Sequence, residues 1–251
     1  MTRNEQADVT LAEKRPDDRL YPDLFSGNGL AERMRTRSKE LGTPLASVRA
    51  PEGRQRQLYA TVPASGGDLQ ISLGGARRVF LARIWSRGVE LAGGKSEDLD
   101  EVIAAASLWA SGARLRELGA RYPFMEIGEI SEAYEEGREV EAKWALLLRS
   151  DQAEARRLAE EALRFPKLAG LFPYLSHHDL LLSRTTGYPF TRDAPCIRPL
   201  LSGGYVVMWP ETMETIATVE SPRQAVEIVN AALPEQYGPA VPGTADDLGA
   251  A

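Results

Sequence analysis

Twice along this chain the same order of pattern recurs: two short apolar runs of strand type, then a helical run. The first copy is Arg77–Ala92 followed by Ser96–Ala110, and the second is Tyr205–Val219 followed by Ser221–Leu233. Strand side chains repeat with a period of two and helical ones with 3.6, so each copy reads as a hairpin with one face to bury and a helix to bury it. VIAAASLW and VEIVNAAL occupy equivalent places in the two helices. No fixed-period repeat accompanies them, so the match fits a remote duplication and also the ordinary recurrence of a hairpin-plus-helix unit.

The rest of the chain follows from that frame. Gln57–Val62 and Asp68–Leu73 add strands before the first hairpin, with Gly66-Gly67, Gly74-Gly75 and Arg87-Gly88 as turns. Asp98 and Glu101 have capping-box spacing ahead of Val102, Ala105, Ala106 and Trp109. Arg114–Arg121 reads as a short helix and Ile127–Arg149 as the longest one, with Glu129, Glu132, Glu135, Glu136 and Glu139 on an acidic outer face. Gln152–Leu163 is a further helix. Leu180–Arg184, Cys196–Leu200, Tyr205–Trp209 and Thr215–Val219 are short strands. Ser221, Pro222 and Gln224 give the last helix an N-cap, a proline at its first position and a capping-box partner.

The expected architecture is α+β: an N-terminal β-rich layer, a helical middle, and a C-terminal antiparallel β-meander with a closing helix. Its expected divisions are a disordered tail over 1–19, an N-terminal α+β domain over 20–150, a C-terminal α+β domain over 151–237 and a flexible tail over 238–251. An early helix, Gly27–Gly42, carries Leu30, Met34 and Leu41 on one side. Its other side carries Arg33, Arg35, Arg37 and Lys39, a basic region that Arg49, Arg54 and Arg56 extend.

Composition removes several classes of function. A net charge of -6 over 251 residues argues against a general nucleic-acid binder. The single cysteine, Cys196, excludes an internal disulfide and any zinc site made of Cys pairs. The first residues are polar and charged, without the apolar core of a signal peptide, and no run approaches the ~18 apolar residues that span a bilayer. A cytoplasmic protein with no membrane partner is expected. No GxGxxG, GxxxxGK[ST] or GxSxG pattern is present, so neither a phosphate loop nor a serine-hydrolase elbow is indicated.

Tyr174–Pro199 concentrates the chemistry, since it holds both histidines, His177 and His178, together with Cys196 and Arg184. On a strand, His177 and His178 would face opposite ways and not share a metal. In a loop, one would pack and one would be exposed, and either is a candidate general base or acid. Arg184 leaves its strand on the face of Leu180 and Leu182, where an unpaired charge is costly. It needs Asp193 or Asp179 as a structural clasp, or a substrate anion to hold. Cys196 reads as a small buried hydrophobe or, beside His178, as a nucleophile. Trp85, Trp109, Trp144 and Trp209 read as core. Tyr122-Pro123-Phe124, Phe172-Pro173-Tyr174 and Tyr188-Pro189-Phe190 are rigid corners or the lining of a groove for an extended peptide.

The phrases ARIWSRGVELAGG, EDLDEVIAAASLWASG, SHHDLLLSRTTGYPFTRDAPCIRPL and SPRQAVEIVNAALP resemble an actinobacterial family of unknown function labelled as natural-product biosynthesis proteins. The likeness runs from Tyr59 to Leu248, and its most specific part is S-H-x-x-L-x-x-S-R-x-T-G-Y-P-F, residues Ser176–Phe190. The resemblance implies a biosynthetic setting, such as one making a ribosomal peptide, and brings no catalytic residue with it.

Two functions fit that setting. One is a lanthipeptide-like cyclase that adds a substrate Cys thiol to a dehydroamino acid, a reaction needing a base and an enolate stabiliser and no redox cofactor. His177 or His178 would be the base, Arg184 the stabiliser and Tyr188 a proton donor, with Tyr174, Phe190, Arg192 and Asp193 against the substrate. Neither a metal nor a cofactor is expected. The other is a non-catalytic scaffold or leader-peptide-binding partner of other enzymes in the pathway. It would use the Arg33–Arg56 region or the acidic helix around Glu135.

Overall fold

A computed structural model describes residues 18–25, 27–53 and 57–249. The disordered stretch expected over 1–19 lies outside them apart from its last two residues, as do Arg54 and Arg56 of the basic region. Contacts divide the chain into two compact units, Met1–Glu135 and Glu136–Ala251.

The first unit contains helices α1 (Pro22–Phe25) and α2 (Leu30–Glu40), then strands β1 (Tyr59–Val62), β2 (Asp68–Leu73), β3 (Phe80–Ser86) and β4 (Val89–Ser96). Helices α3 (Leu99–Ala110) and α4 (Leu115–Arg121) precede β5 (Met125–Ile127), and α5 (Ser131–Glu136) ends the unit. The five strands form one antiparallel sheet in chain order. Strict alternation in β2 buries Leu69, Ile71 and Leu73, while Asp68, Gln70 and Ser72 face outward. Helix α3 lies on β3 and β4 and buries Val102, Ala105, Ala106 and Trp109, the positions its spacing predicts, together with Leu99 and Ile103. Asp98 caps α3 by accepting the Asp100 N–H at 2.8 Å. Glu101 does not close the expected capping box, because its carboxylate takes the Ser96 hydroxyl proton instead, at 2.6 Å.

Tyr21 ties the start of the described chain to this sheet. It is fully buried; its hydroxyl accepts the Val79 N–H at 3.0 Å and lies 2.9 Å from the Gly74 and Val79 carbonyls. Arg78 forks onto Asp23 at 2.8 and 3.1 Å and lies over the Tyr21 ring, 5.3 Å from its centre. The basic face of α2 is largely matched from within. Arg37 grips Asp100 in the first turn of α3 at 2.8 and 2.6 Å, and Arg35 reaches the Val48 carbonyl and Glu32.

The second unit has α6 (Glu139–Leu148), α7 (Ala153–Ala162) and α8 (Pro166–Ala169) ahead of its sheet. The strands are β6 (Phe172–Ser176), β7 (Asp179–Ser183), β8 (Cys196–Pro199), β9 (Tyr205–Met208) and β10 (Thr215–Val219), again antiparallel and in chain order. Helix α9 (Pro222–Ala232) closes the unit, with the Ser221–Gln224 capping box and Pro222 in its first turn. Leu180, Leu182, Ile197 and Val207 meet Trp144, Leu147, Leu158, Ala159, Val226 and Val229 in the core. Helix α10 (Ala245–Leu248) follows. The architecture is α+β with a C-terminal meander and closing helix.

Several further expectations differ from the structure. The helix expected over Ile127–Arg149 is interrupted at Gly137, whose φ of 66° ends α5, and α6 begins only at Glu139. That break puts Glu139, expected on a solvated face, at 2 % exposure, where its Oε1 accepts the Thr186 hydroxyl proton at 2.9 Å. The outermost strands β5 and β6 have no counterpart in the sequence reading, since three residues in one and a proline in the other hide the alternation. The division between units falls at Glu135/Glu136 rather than near Ser150, because α6 belongs with the second sheet: Trp144 Nε1 donates to the Ala169 and Leu171 carbonyls at 3.1 and 3.0 Å.

The segment from 238, expected as a flexible tail, is laced to the chain through 249 by backbone hydrogen bonds. Ala240 N–H donates to Gly170, Val241 N–H to Arg184, and Ala245 N–H to Pro189, at 2.8, 2.9 and 2.7 Å. In return Thr186 and Gly187 N–H groups donate to Val241 and Gly243. Small polar residues read as a tail in sequence because none of this stabilisation involves their side chains.

Candidate functional site

His177 and His178 form the two-residue turn of the β6–β7 hairpin. Ser176 pairs with Asp179, and both histidines have positive φ, 50° and 75°. Two left-handed residues are what a type I′ hairpin requires, a place usually filled by Asn-Gly. Both side chains are exposed. Ser176 Oγ lies 3.2 Å from His177 Nδ1, and Gln152 Oε1 lies 3.4 Å from His178 Nδ1. The strand geometry and the one-packed, one-exposed loop are both replaced by a solvated tip.

Arg184 sits at the other end of β7. At ~3.3 Å per residue the two ends are about 20 Å apart. A base and an enolate stabiliser must each reach the same few reacting atoms within hydrogen-bond distance. The expected pairing of a histidine with Arg184 and Tyr188 therefore does not assemble.

What does assemble around Arg184 is a clasp. Its Nε donates to Asp193 Oδ2 at 2.8 Å, and its guanidinium lies over the Tyr237 ring, 5.3 Å from the centre. Tyr237 donates its hydroxyl proton to Asp193 Oδ1 at 2.8 Å. Burial pushes the Tyr237 phenol up, and the Asp193 carboxylate pushes it further. Burial alone would raise the Asp193 carboxyl, but hydrogen bonds from Tyr237, Arg184 and Thr191 outweigh it and hold it below the ordinary Asp value. Tyr237 was not among the sequence candidates.

The sign of this shift sets a pH dependence. A carboxyl depressed in the folded state stabilises the fold above its unfolded value of about 3.9 and loses that contribution as pH falls through the folded value. The Asp193 side chain is 41 % exposed, so solvent screening keeps the effect within about 1 kcal/mol. Comparing acid unfolding of the protein with that of Asp193→Asn should show a stability gap that is constant above pH ~5 and closes toward pH ~2. A gap unchanged at the acid end would mean that Asp193 is not held ionised by the clasp.

Asp179 has a clasp of its own. Arg198 on β8 forks onto it, Nε to Oδ1 at 2.9 Å and Nη2 to Oδ2 at 2.7 Å. Neither arginine is aimed at open space. Cys196 is 2 % exposed, and burial, with Asp179 nearby, pushes its thiol up, which is the reverse of what a nucleophilic thiolate needs.

Ser183 orders the loop that carries the densest motif. It is fully buried, and its Oγ donates to the Thr185 carbonyl at 2.8 Å. The same oxygen accepts the Thr185 and Thr191 N–H groups at 3.0 and 3.1 Å. One proton donated and two lone pairs filled is the full capacity of a hydroxyl. Around this hub the loop 184–191 folds back and presents Tyr188-Pro189-Phe190.

Those aromatics do converge. Phe190 stacks on Phe172 with centroids 5.4 Å apart and lies 4.6 Å from Tyr174 and 5.8 Å, edge-on, from Tyr188. Tyr174 belongs to a small cluster with Leu181, Cys196, Val206 and Met208, and burial pushes its phenol up to about 12. These positions alternate with Leu180, Leu182, Ile197 and Val207 of the main core, so they occupy the sheet face turned away from α6, α7 and α9. Tyr188 is 62 % exposed at the end of this aromatic row. Arg192 is exposed and donates to the Pro210 carbonyl at 3.1 Å. Of the expected substrate contacts, Tyr174 and Phe190 are brought together, with Tyr188, the expected proton donor, beside them, and Asp193 is taken by its clasp.

Among the described residues no group of three or more His, Cys, Asp or Glu side chains could hold a metal ion. No described helix is long and apolar enough to cross a membrane. Residues 138–244, within the second unit, match the model of a family of unknown function, DUF6193. Comparisons with curated proteins and with solved structures returned no match.

Proposed function

We propose that this chain is a component of a natural-product biosynthetic pathway, one making a ribosomal peptide, and that it recognises the precursor peptide for other enzymes of that pathway. The pathway rests on the sequence resemblance. The peptide-binding role is carried by one observation: an aromatic row, Phe172–Phe190–Tyr174, that ends in the solvent-exposed ring of Tyr188. A rigid, exposed aromatic offers large contact area at little entropic cost, and such rings dominate binding surfaces. Arg192 beside it suits a peptide that carries an acidic residue near an apolar one. The basic face of α2 and the Glu135 helix are less suited to this role, because Arg37 and Arg35 are matched internally and Glu135 accepts the Leu115 N–H.

A catalytic version of the same role lacks support, since the histidines lie about 20 Å from Arg184 along β7. Anisotropy titration with a fluorescein-labelled precursor peptide of the pathway tests the reading. Tyr188→Ala should weaken binding about tenfold, or ~1.4 kcal/mol. The double variant His177→Asn, His178→Gly suits the turn at least as well and should bind like the parent. Undiminished binding by Tyr188→Ala would sink the proposed surface. Loss of product formation with the histidine variant, its binding intact, would return catalysis to the hairpin tip.

A further inference from the structure

The two five-stranded sheets end in β1, β5, β6 and β10, and natural sheets keep such ends from pairing with other chains by covering, shortening or interrupting them. Three of the four are treated in that way. Arg49 bridges β1, exchanging N–H and carbonyl with Thr61 at 2.7 and 2.8 Å. Strand β5 is three residues long, and β6 carries Pro173, which has no N–H to offer. Strand β10, Thr-Ile-Ala-Thr-Val, has neither a proline nor a charge, and no bridge from another described segment lies along it.

The pairing shows which backbone groups of β10 are unused. Leu200 N–H donates to the Gly204 carbonyl on the β8 side of β9, and Trp209 N–H donates to the Glu214 carbonyl on the β10 side, both at 3.0 Å. Antiparallel ladders alternate, so Tyr205 and Val207 bond toward β10, to their partners Val219 and Ala217. Thr218 lies between those two and turns its N–H and carbonyl outward. Ile216 is the extra residue of a bulge between Thr215 and Ala217, left out of the ladder with its side chain 37 % exposed. The open ladder is therefore the stretch after Ile216, centred on Thr218, which is exposed.

Charge selects what pairs there. Exposed Glu211 and Glu214 precede the strand and exposed Glu220 follows it, and none of the three side chains makes an ion pair with a described residue. A second copy of this chain, paired antiparallel about Ala217, would set the Glu214 of each copy opposite the Glu220 of the other. Like charges directly opposite one another destabilise a strand pair. Shifted to centre on Thr218, the pairing would set each Glu220 carboxylate against the other copy's Ile216. A segment with a basic residue at each end meets carboxylates at both ends instead. We infer that the β10 edge is a docking site for a partner protein, which adds an extended segment with Lys or Arg at its two ends as a further strand of this sheet. The inference does not rest on the aromatic row at Tyr188.

Nuclear magnetic resonance on the isotope-labelled full-length protein tests it with two synthetic probes. They are acetyl-Lys-Val-Thr-Val-Thr-Val-Lys-amide and the same peptide with Glu at both ends. The basic probe should bind saturably below ~1 mM, shift the amide signals of Ile216 to Glu220 and slow exchange of the Thr218 N–H about tenfold. The acidic probe should bind about tenfold more weakly, and the gap should narrow at ~1 M salt. Glu214→Lys combined with Glu220→Lys, at two exposed positions, should reverse the order of the probes. Thr218→Pro should abolish binding, since an edge strand tolerates a proline where the missing N–H faced outward. Circular dichroism checks that both variants fold, and if Thr218→Pro does not, the charge-reversed variant decides alone. No saturation by the basic probe, equal affinity of the two probes, shifts confined to other strands, or a folded charge-reversed protein that still prefers the basic probe would overturn the assignment. So would a dimer in sedimentation that Thr218→Pro dissolves, which would give the edge to a second copy.

Discussion

Replacing Ser183 by alanine should destabilise the second unit by about 3 kcal/mol, more than the loss of one oxygen atom usually costs. The hydroxyl is fully buried and saturated. Its removal leaves the Thr185 and Thr191 N–H groups without an acceptor and the Thr185 carbonyl without its donor. Thr185 is itself fully buried and Thr191 is 7 % exposed, so water cannot easily replace what is lost. Each orphaned group costs ~1–3 kcal/mol, and shared relaxation keeps the total below the sum. Urea unfolding, with amide exchange read along β7 and β8, measures the effect on the unit that carries it. The loop 184–191 should exchange faster, and binding at Tyr188 should weaken with it. A loss under ~1 kcal/mol would mean that the loop is ordered by its backbone bonds to residues 241–245 and not by the serine.

Trp144→Ala should cost about 4 kcal/mol, within the range for emptying a buried aromatic site. Trp144 is 2 % exposed in the core beneath the second sheet and donates its indole N–H to the Leu171 and Ala169 carbonyls, just ahead of β6. The variant loses packing volume and the tether between α6 and that chain reversal. Trp144→Phe separates the two contributions. It keeps most of the volume and removes only the donor, so ~1–2 kcal/mol is expected. If Phe costs as much as Ala, the hydrogen bonds and not the packing bind α6 to this sheet.

How legible the molecule was depends on how local each signal is. The α9 helix was readable because Ser221, Pro222 and Gln224 cap it within four residues. The Arg184–Asp193 pairing was readable as an option, since an arginine leaving a buried strand requires an anion nearby. Its third member, Tyr237, was not, lying 44 residues from Asp193 in a stretch with no pattern of its own. The histidines misled for a related reason. His-His in place of Asn-Gly carries no turn signal, so the hairpin between β6 and β7 went unseen and the pair read as part of a strand or a longer loop. The strand read at Leu180–Arg184 already set the histidines before its start and Arg184 at its end, but with β6 missing nothing marked the pair as a tight hairpin turn.

The open edge at β10 was legible only in part. Thr215–Val219 read as a strand, and it is; only the order of the sheet makes it an end strand whose Thr218 N–H and carbonyl face outward. That order is a property of the whole second sheet.

By itself the sequence determined the α+β class, the two hairpin-plus-helix units and the N-caps Asp98 and Ser221. Period and cap chemistry act between residues a few positions apart, and the chain states them directly. Tertiary structure alone decided where the chemistry-bearing side chains go. It sent the histidines to a solvated tip, closed Arg184 onto Asp193 and Tyr237, lined up the aromatics behind Tyr188, and left β10 at an open edge between Glu214 and Glu220. Each of those outcomes depends on which distant backbone happens to lie alongside, and that is set by how the whole apolar surface of each unit is buried rather than by any local rule.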